Sequence, residues 1–274
     1  MNLCPVPDGD YFFDKTAVVT GAASGVGLAL SEQLLQYGAR SVLMADFNRE
    51  NLQREYQRLL EVFPEKVFMS VCNVTAESEI QQMIAYAVST AGRIDLLFNN
   101  AGAGFAGAFE KTTNEDWKRA FDLNFYGALY GVRAVLPVMM RQGSGQIVNI
   151  ISGIAFCPMP LQSMYSATKA ALNGMTLALR AEYEFYNIKI SSATPGTTRS
   201  AIWAGGTVPE QAQSAADSAI HILTGVVHNE RIITGDGTDR ESAAHCFDPD
   251  YASAYDEYVR NIATRRREGD LNAL

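Results

Sequence analysis

The chain has 274 residues, 47% of them hydrophobic, enough apolar side chains for a full buried core. Its net charge of −8 argues against nucleic acid or an anionic membrane surface as a principal partner. No apolar run approaches the roughly 18 residues of a membrane span, and the opening MNLCPVPDGD has neither a basic start nor an apolar signal core, so a cytoplasmic protein is expected.

In chain order, short apolar runs predict strands at Thr16 to Thr20, Ser41 to Ala45, Val67 to Cys72, Leu96 to Asn99, Gln146 to Ile151, Lys189 to Ala193 and Arg231 to Thr234. Helical patterns fill the intervals, beginning with the amphipathic segment from Gly25 to Tyr37. This alternation implies an α/β fold, a Rossmann-type doubly wound parallel sheet of about seven strands with helices on both faces. Ligands in such a sheet bind beyond the carboxyl ends of the strands. No linker divides the chain, so one domain over residues 1–274 is expected. Cys4, Cys72, Cys157 and Cys246 are scattered and read as free thiols, and the three histidines suggest no metal site.

Between the first strand and the first helix lie Gly21, Gly25 and Gly27. Glycines there permit a tight turn and let a pyrophosphate approach backbone amides at a helix N-terminus. The second strand ends at Asp46, placed to hold the adenosine ribose hydroxyls of a dinucleotide and to repel a 2′-phosphate.

Ser152, Tyr165 and Lys169 are spaced 13 and 4 residues apart. Residues i and i+4 share a helix face, which sets Tyr165 beside Lys169. Ionising a phenol of pKa about 10 at neutral pH costs about 4 kcal/mol. A cation about 4 Å away, at an effective dielectric of about 20, supplies about that much. The expectation is therefore a tyrosine that serves as a base. A second YxxxK pair, Tyr11 with Lys15, precedes the first strand, where no cleft is expected.

The ordered series TGAASGVG (Thr20 to Gly27), NNAG (Asn99 to Gly102), Asn124, Ser152, YSATK (Tyr165 to Lys169) and Pro195–Gly196 resembles the short-chain dehydrogenase/reductase family over about residues 14 to 235. The resemblance implies Tyr165 as general acid/base, Ser152 as the hydroxyl orienting the substrate oxygen, Lys169 as the cation that lowers the phenol and holds the nicotinamide ribose, and Asn124 as anchor of a proton-relay water. It also implies a nicotinamide cofactor held by Gly21, Ser24, Gly25, Val26, Gly27, Asp46, Phe47, Asn73, Val74, Asn100, Ala101, Gly102, Tyr165, Lys169, Pro195, Gly196, Thr198 and Ser200. Asn73 stands where the family often has an Asp near the adenine amino group, and its amide oxygen is expected to accept there. Ser24 and Phe47 occupy sites that are basic in NADP-preferring relatives, so NAD is expected over NADP, although Arg49 lies close by.

Three segments should wall the substrate pocket, carrying Phe105, Phe109, Phe156, Met164, Ile202 and Trp203 with Arg199 as their only charge. They favour a bulky apolar secondary alcohol or ketone, such as a steroid, terpenoid or aryl carbinol. The leading expectation is an NAD-dependent alcohol dehydrogenase; an NADPH-dependent carbonyl reductase and a non-catalytic dinucleotide sensor or scaffold are the other readings. Residues from Asp239 to Leu274 extend past the matched region, with a helical tyrosine stripe at Tyr251, Tyr255 and Tyr258, expected to dock on its own domain or a sister subunit, or to form a lid. Apolar residues on more than one side of the Asn124 helix suggest a homotetramer or homodimer.

Overall fold

The computed structural model describes residues 9–199 and 208–270. Seven strands form one parallel sheet: β1 (Thr16–Thr20), β2 (Ser41–Asp46), β3 (Val67–Val71), β4 (Leu96–Asn99), β5 (Gly145–Ile150), β6 (Ile188–Ala193) and β7 (Ile232–Ile233). Their spatial order is β3-β2-β1-β4-β5-β6-β7. The order reverses between β1 and β4, which opens the crevice where α/β sheets take their ligands.

Period-2 alternation distributes each strand's side chains between two cores. Ala17, Val19, Phe98 and Val148 face one core with Leu30 and Leu34 of α1 (Gly25–Gln36) and Ile222, Leu223 and Val226 of α7 (Ala215–Val227). Val18, Leu97, Ile147 and Ile190 face the other, with Ile80 and Met83 of α3 (Glu77–Ala91) and Val132 and Val135 of α5 (Gly127–Gln142). All five residues of β1 and all six of β2 are buried, which explains their unbroken apolar runs. Helix α2 (Arg49–Val62) follows β2, with the Asn48 side chain accepting from the Asn51 amide.

The helix read as continuous around Asn124 is built in three parts. α4 (Asn114–Phe121) opens with a capping box between Thr113 and Asp116; a π-helical turn covers Asp122–Tyr126; α5 completes it and ends on left-handed Gly143. Helix α6 (Ser163–Glu184) runs beside it and carries Tyr165 and Lys169.

Two helices follow β7. α8 (Gly237–His245), capped by the Asp236 side chain accepting from the Asp239 amide, packs on the 3-10 turn Gly153–Ala155. α9 (Ala252–Arg267) docks on its own chain: the Tyr255 hydroxyl donates to the Pro158 carbonyl at 2.7 Å, and Arg266 donates to the Pro160 carbonyl and to Gln162 Oε1 at 2.6 and 2.9 Å. The tail thus steadies the segment between Ser152 and Tyr165. No described helix is long and apolar enough to cross a membrane.

Candidate active site

The glycine turn joins β1 to α1. Gly21 and Gly25 have φ of +67° and +56°, conformations that side-chain-bearing residues rarely adopt. A Cβ on Gly27 would lie 2.2 Å from the Gly21 carbonyl oxygen, so the turn closes only around glycine. The first amides of α1 have no intrahelical partner and face the crevice end of the sheet. Exposed Ser24 precedes them and makes no capping bond, leaving the helix start open to an anion.

The NNAG segment is bolted to that turn. Asn100 Nδ2 donates to the Thr20 carbonyl at 2.9 Å, while the Asn100 and Ala101 amides donate to Thr20 Oγ1 at 3.0 and 3.1 Å. Asp46, buried at the end of β2, accepts from the Ala23 amide at 3.1 Å and from the Asn48 amide at 2.9 Å. These bonds fix a carboxylate against the glycine turn, with Phe47 exposed beside it. The turn and the carboxylate fit the adenosine and pyrophosphate of a nicotinamide dinucleotide.

Asn73 departs from expectation. Its Oδ1 accepts from both the amide and the hydroxyl of Thr75, at 3.1 and 2.9 Å, so the oxygen is engaged in the turn after β3 and Nδ2 is what the residue offers outward. Val74 is buried against Gly127, where a Cβ would meet Val74 Cγ2 at 3.0 Å. Thr198 is also turned inward: its hydroxyl donates to the carbonyls of Pro195 and Gly196 and lies 2.6 Å from Ser218 Oγ. It shapes the Pro195–Gly196 turn, in which Gly196 has φ of +70°. Ser200, Ile202 and Trp203 lie outside the described residues.

Gly102 brings two of the four expected catalytic side chains together. A Cβ there would be 3.0 Å from Asn124 Oδ1 and 3.3 Å from Lys169 Nζ. The π turn carries Asn124 inward, where Oδ1 accepts from the Ala103 amide and Nδ2 donates to the Ala103 carbonyl, both at 3.0 Å, and to Thr168 Oγ1 at 3.3 Å. Such one-turn irregularities recur at functional sites. The Asn124–Thr168 bond ties the π turn to α6, where Thr168 Oγ1 donates in turn to the Tyr165 carbonyl at 2.8 Å.

Lys169 Nζ donates to the Ile150 carbonyl at 2.8 Å and stands 5.9 Å from the centre of the Tyr165 ring. Burial pushes Lys169 down to about 8. Burial also pushes the Tyr165 phenol up from its ordinary value; the Ser152 hydroxyl beside it pulls the other way, and Asp239 adds to the rise. Burial is the largest influence on the phenol, since both side chains are almost fully enclosed.

The second YxxxK pair lies at the opposite end of the sheet. The Tyr11 hydroxyl donates to Gln146 Oε1 near the start of β5 at 2.6 Å, and Lys15 Nζ sits 4.6 Å from the Tyr11 ring centre.

A cleft of about 650 Å³ opens beside Ala103 and Met164, bordered by Phe105 and Leu123 and, farther out, by Lys111, Asp116 and Arg119. Its wall is more charged than the three apolar segments suggested, because α4 contributes to it. Phe156 instead packs partly buried with Ala128, Ile151 and Leu172, and Phe109 is exposed.

Sequence reasoning missed a buried polar relay behind the site. Asn99 and Asn149, in register on β4 and β5, are joined at 2.8 Å, and Asn149 Nδ2 donates to Thr176 Oγ1 on α6 at 2.9 Å. Asparagines at or next to the ends of two apolar strands were its visible signal. Asp239 was missed as well, and its place after a short last strand carried no signal.

The pattern described as short chain dehydrogenase matches residues 15–209. An uncharacterized oxidoreductase of Staphylococcus epidermidis is 33% identical over 219 residues, covering 78% of this chain and 93% of that protein. A levodione reductase structure has a TM-score of 0.77 at 26% identity, over 85% of this chain and 99% of its own. A short chain dehydrogenase/reductase from Burkholderia phymatum in complex with NAD has a TM-score of 0.76 at 24% identity, over 93% and 96%, a likeness of fold. Parallel sheet, glycine turn and YxxxK helix together define a dinucleotide-dependent oxidoreductase. The chain belongs to the short-chain dehydrogenase/reductase family, enzymes that act on CH–OH groups with a nicotinamide dinucleotide.

Proposed function

We propose that the protein is an NAD-dependent oxidoreductase that transfers a hydride between a secondary alcohol or ketone and nicotinamide. The single observation that carries this reading is the approach of Asn124 and Lys169 to Gly102, with Lys169 on the helix that also bears Tyr165. Bound nicotinamide would supply the hydride acceptor or donor. In oxidation, Tyr165 Oη takes the carbinol proton and Ser152 Oγ donates to the developing oxyanion. Lys169, shifted to about 8, keeps positive charge at neutral pH to favour the phenolate and to hold the ribose. Asn124 anchors a water through which that proton passes on to solvent.

Asp46 supports NAD: a carboxylate held against the glycine turn accepts ribose hydroxyls and repels a 2′-phosphate. An NADPH-dependent carbonyl reductase is the second reading, favoured by exposed Arg49 at the start of α2. Phe105, Leu123 and Met164 support an apolar substrate of moderate bulk, and the likeness to a levodione reductase points the same way. The test is an absorbance screen of secondary alcohols and ketones with both cofactors. Turnover of apolar carbinols with NAD supports the proposal, and turnover with NADP alone contradicts its cofactor assignment.

A further inference from the structure

Asp239 enters the back of the site from the C-terminal extension. It lies beyond the matched family region, in the first turn of α8. A Cβ on Gly153, the residue after Ser152, would lie 1.9 Å from Asp239 Oδ1, so the carboxyl occupies space that only a glycine leaves. Oδ2 is sealed from solvent and hydrogen-bonds no protein group. A carboxyl is normally buried this way only with partners, and a side chain so placed acts on its surroundings chiefly through its charge.

We propose that Asp239 is a positioning residue that sets the electrostatic field in which Tyr165 ionises, acting through the gap at Gly153. The proposal rests on Tyr165 being the proton-transfer group. Burial holds the Asp239 carboxyl up at about 6, so it is largely ionised at neutral pH, while the Thr194 hydroxyl and the Gly196 amide draw it down. The other titratable groups facing it are Asp236 at the cap of α8, Cys157 in the following loop and Tyr165 on α6. Lys169, one turn beyond Tyr165, owes its shift to burial. An ionised Asp239 raises the phenol, so it holds the proton on Tyr165 and favours the direction in which Tyr165 donates, ketone reduction.

The test is a pH titration of phenolate ultraviolet absorbance, taken as the difference between each protein and its Tyr165→Phe counterpart. That difference isolates one tyrosine and needs no substrate. Asp239→Asn should move the Tyr165 midpoint to lower pH by roughly one unit; an unmoved midpoint overturns the inference. Gly153→Ala is the second arm, because its new methyl group displaces the carboxyl without removing it. It should shift the midpoint in the same direction, and an unmoved midpoint there also counts against the proposal. Turnover of an alcohol panel by Tyr165→Phe is a separate measurement. Residual activity would remove Tyr165 from the chemistry and with it the reading on which this inference rests, whereas an unmoved midpoint removes the role of Asp239 alone.

Discussion

The roles proposed for Lys169 and Asp46 use opposite charges, and each can be separated by substitution. Lys169→Ala removes the cation near Tyr165 and, with it, the proposed ribose donor, so kcat should fall by about a hundredfold or more while the Kd for the dinucleotide rises; single-turnover rates and calorimetric titration measure the two effects. Replacing Asp46 by Ala and Phe47 by Arg removes the repulsion and adds a phosphate partner. The ratio of kcat/KM for NAD over NADP should drop at least tenfold, and an original preference for NADP would contradict the role given to Asp46. Asp239 also makes a stability prediction. Its carboxyl is held at about 6 against an ordinary 3.8, so the folded state binds more protons between these values and loses stability as pH rises through them. Asp239→Asn should therefore raise Tm near pH 8, by at most about 3 kcal/mol of stability, with a much smaller gain near pH 4. An equal gain at both would mean that packing, not charge, is responsible.

At the scale of elements, the inner strands were legible because strands buried on both faces read as continuous apolar runs bounded by turns, whereas β3 and β7 are edge strands, β3 half-buried and β7 only two residues where Arg231 to Thr234 was expected. The glycine turn was legible for a related reason: the close approach of Gly27 to the Gly21 carbonyl leaves no other residue type. The π turn at Asp122–Tyr126 was not, since one wider helical turn hardly alters a 3.6-residue pattern. The inward bonds of Asn73 and Thr198 were hidden as well, because a polar side chain in a turn reads alike whether it faces a ligand or its own backbone. The relay from Asn99 through Asn149 to Thr176 gives an element-scale prediction. Asn149→Ala leaves Asn99 Nδ2 with only the Ala128 carbonyl and Thr176 Oγ1 with only the Leu172 carbonyl, and should cost about 1–3 kcal/mol, read as a lower urea midpoint. An unchanged midpoint would show that water replaces the lost amide.

At the scale of the molecule, the α4–α5 arm has more apolar surface than the sheet covers. Val132 and Val135 are buried against the sheet, while Phe121, Phe125, Tyr126 and Tyr130 form a chain of ring contacts with Tyr126 exposed. A helix apolar on two sides buries the second against another surface, and two-fold pairing with the same helices of a second copy does so. α9 lies instead on the segment around Pro158 to Gln162, joined to it through Tyr255 and Arg266. A dimer or tetramer is the expected state, and light scattering over a dilution series should give at least twice the mass of one chain at micromolar concentration. A stable monomer would contradict the pairing.

The central claim is that Tyr165 moves the proton as hydride passes between a secondary alcohol or ketone and nicotinamide. Its most direct test compares the unmodified protein with Tyr165→Phe, following reduced-nicotinamide absorbance on the best alcohol of the screen and cofactor affinity by calorimetry. Loss of one hydroxyl should lower kcat by about a hundredfold to ten-thousandfold and leave the dinucleotide Kd within about threefold, while Tyr11→Phe leaves kcat unchanged. Activity of Tyr165→Phe within about tenfold of the unmodified protein would contradict the account.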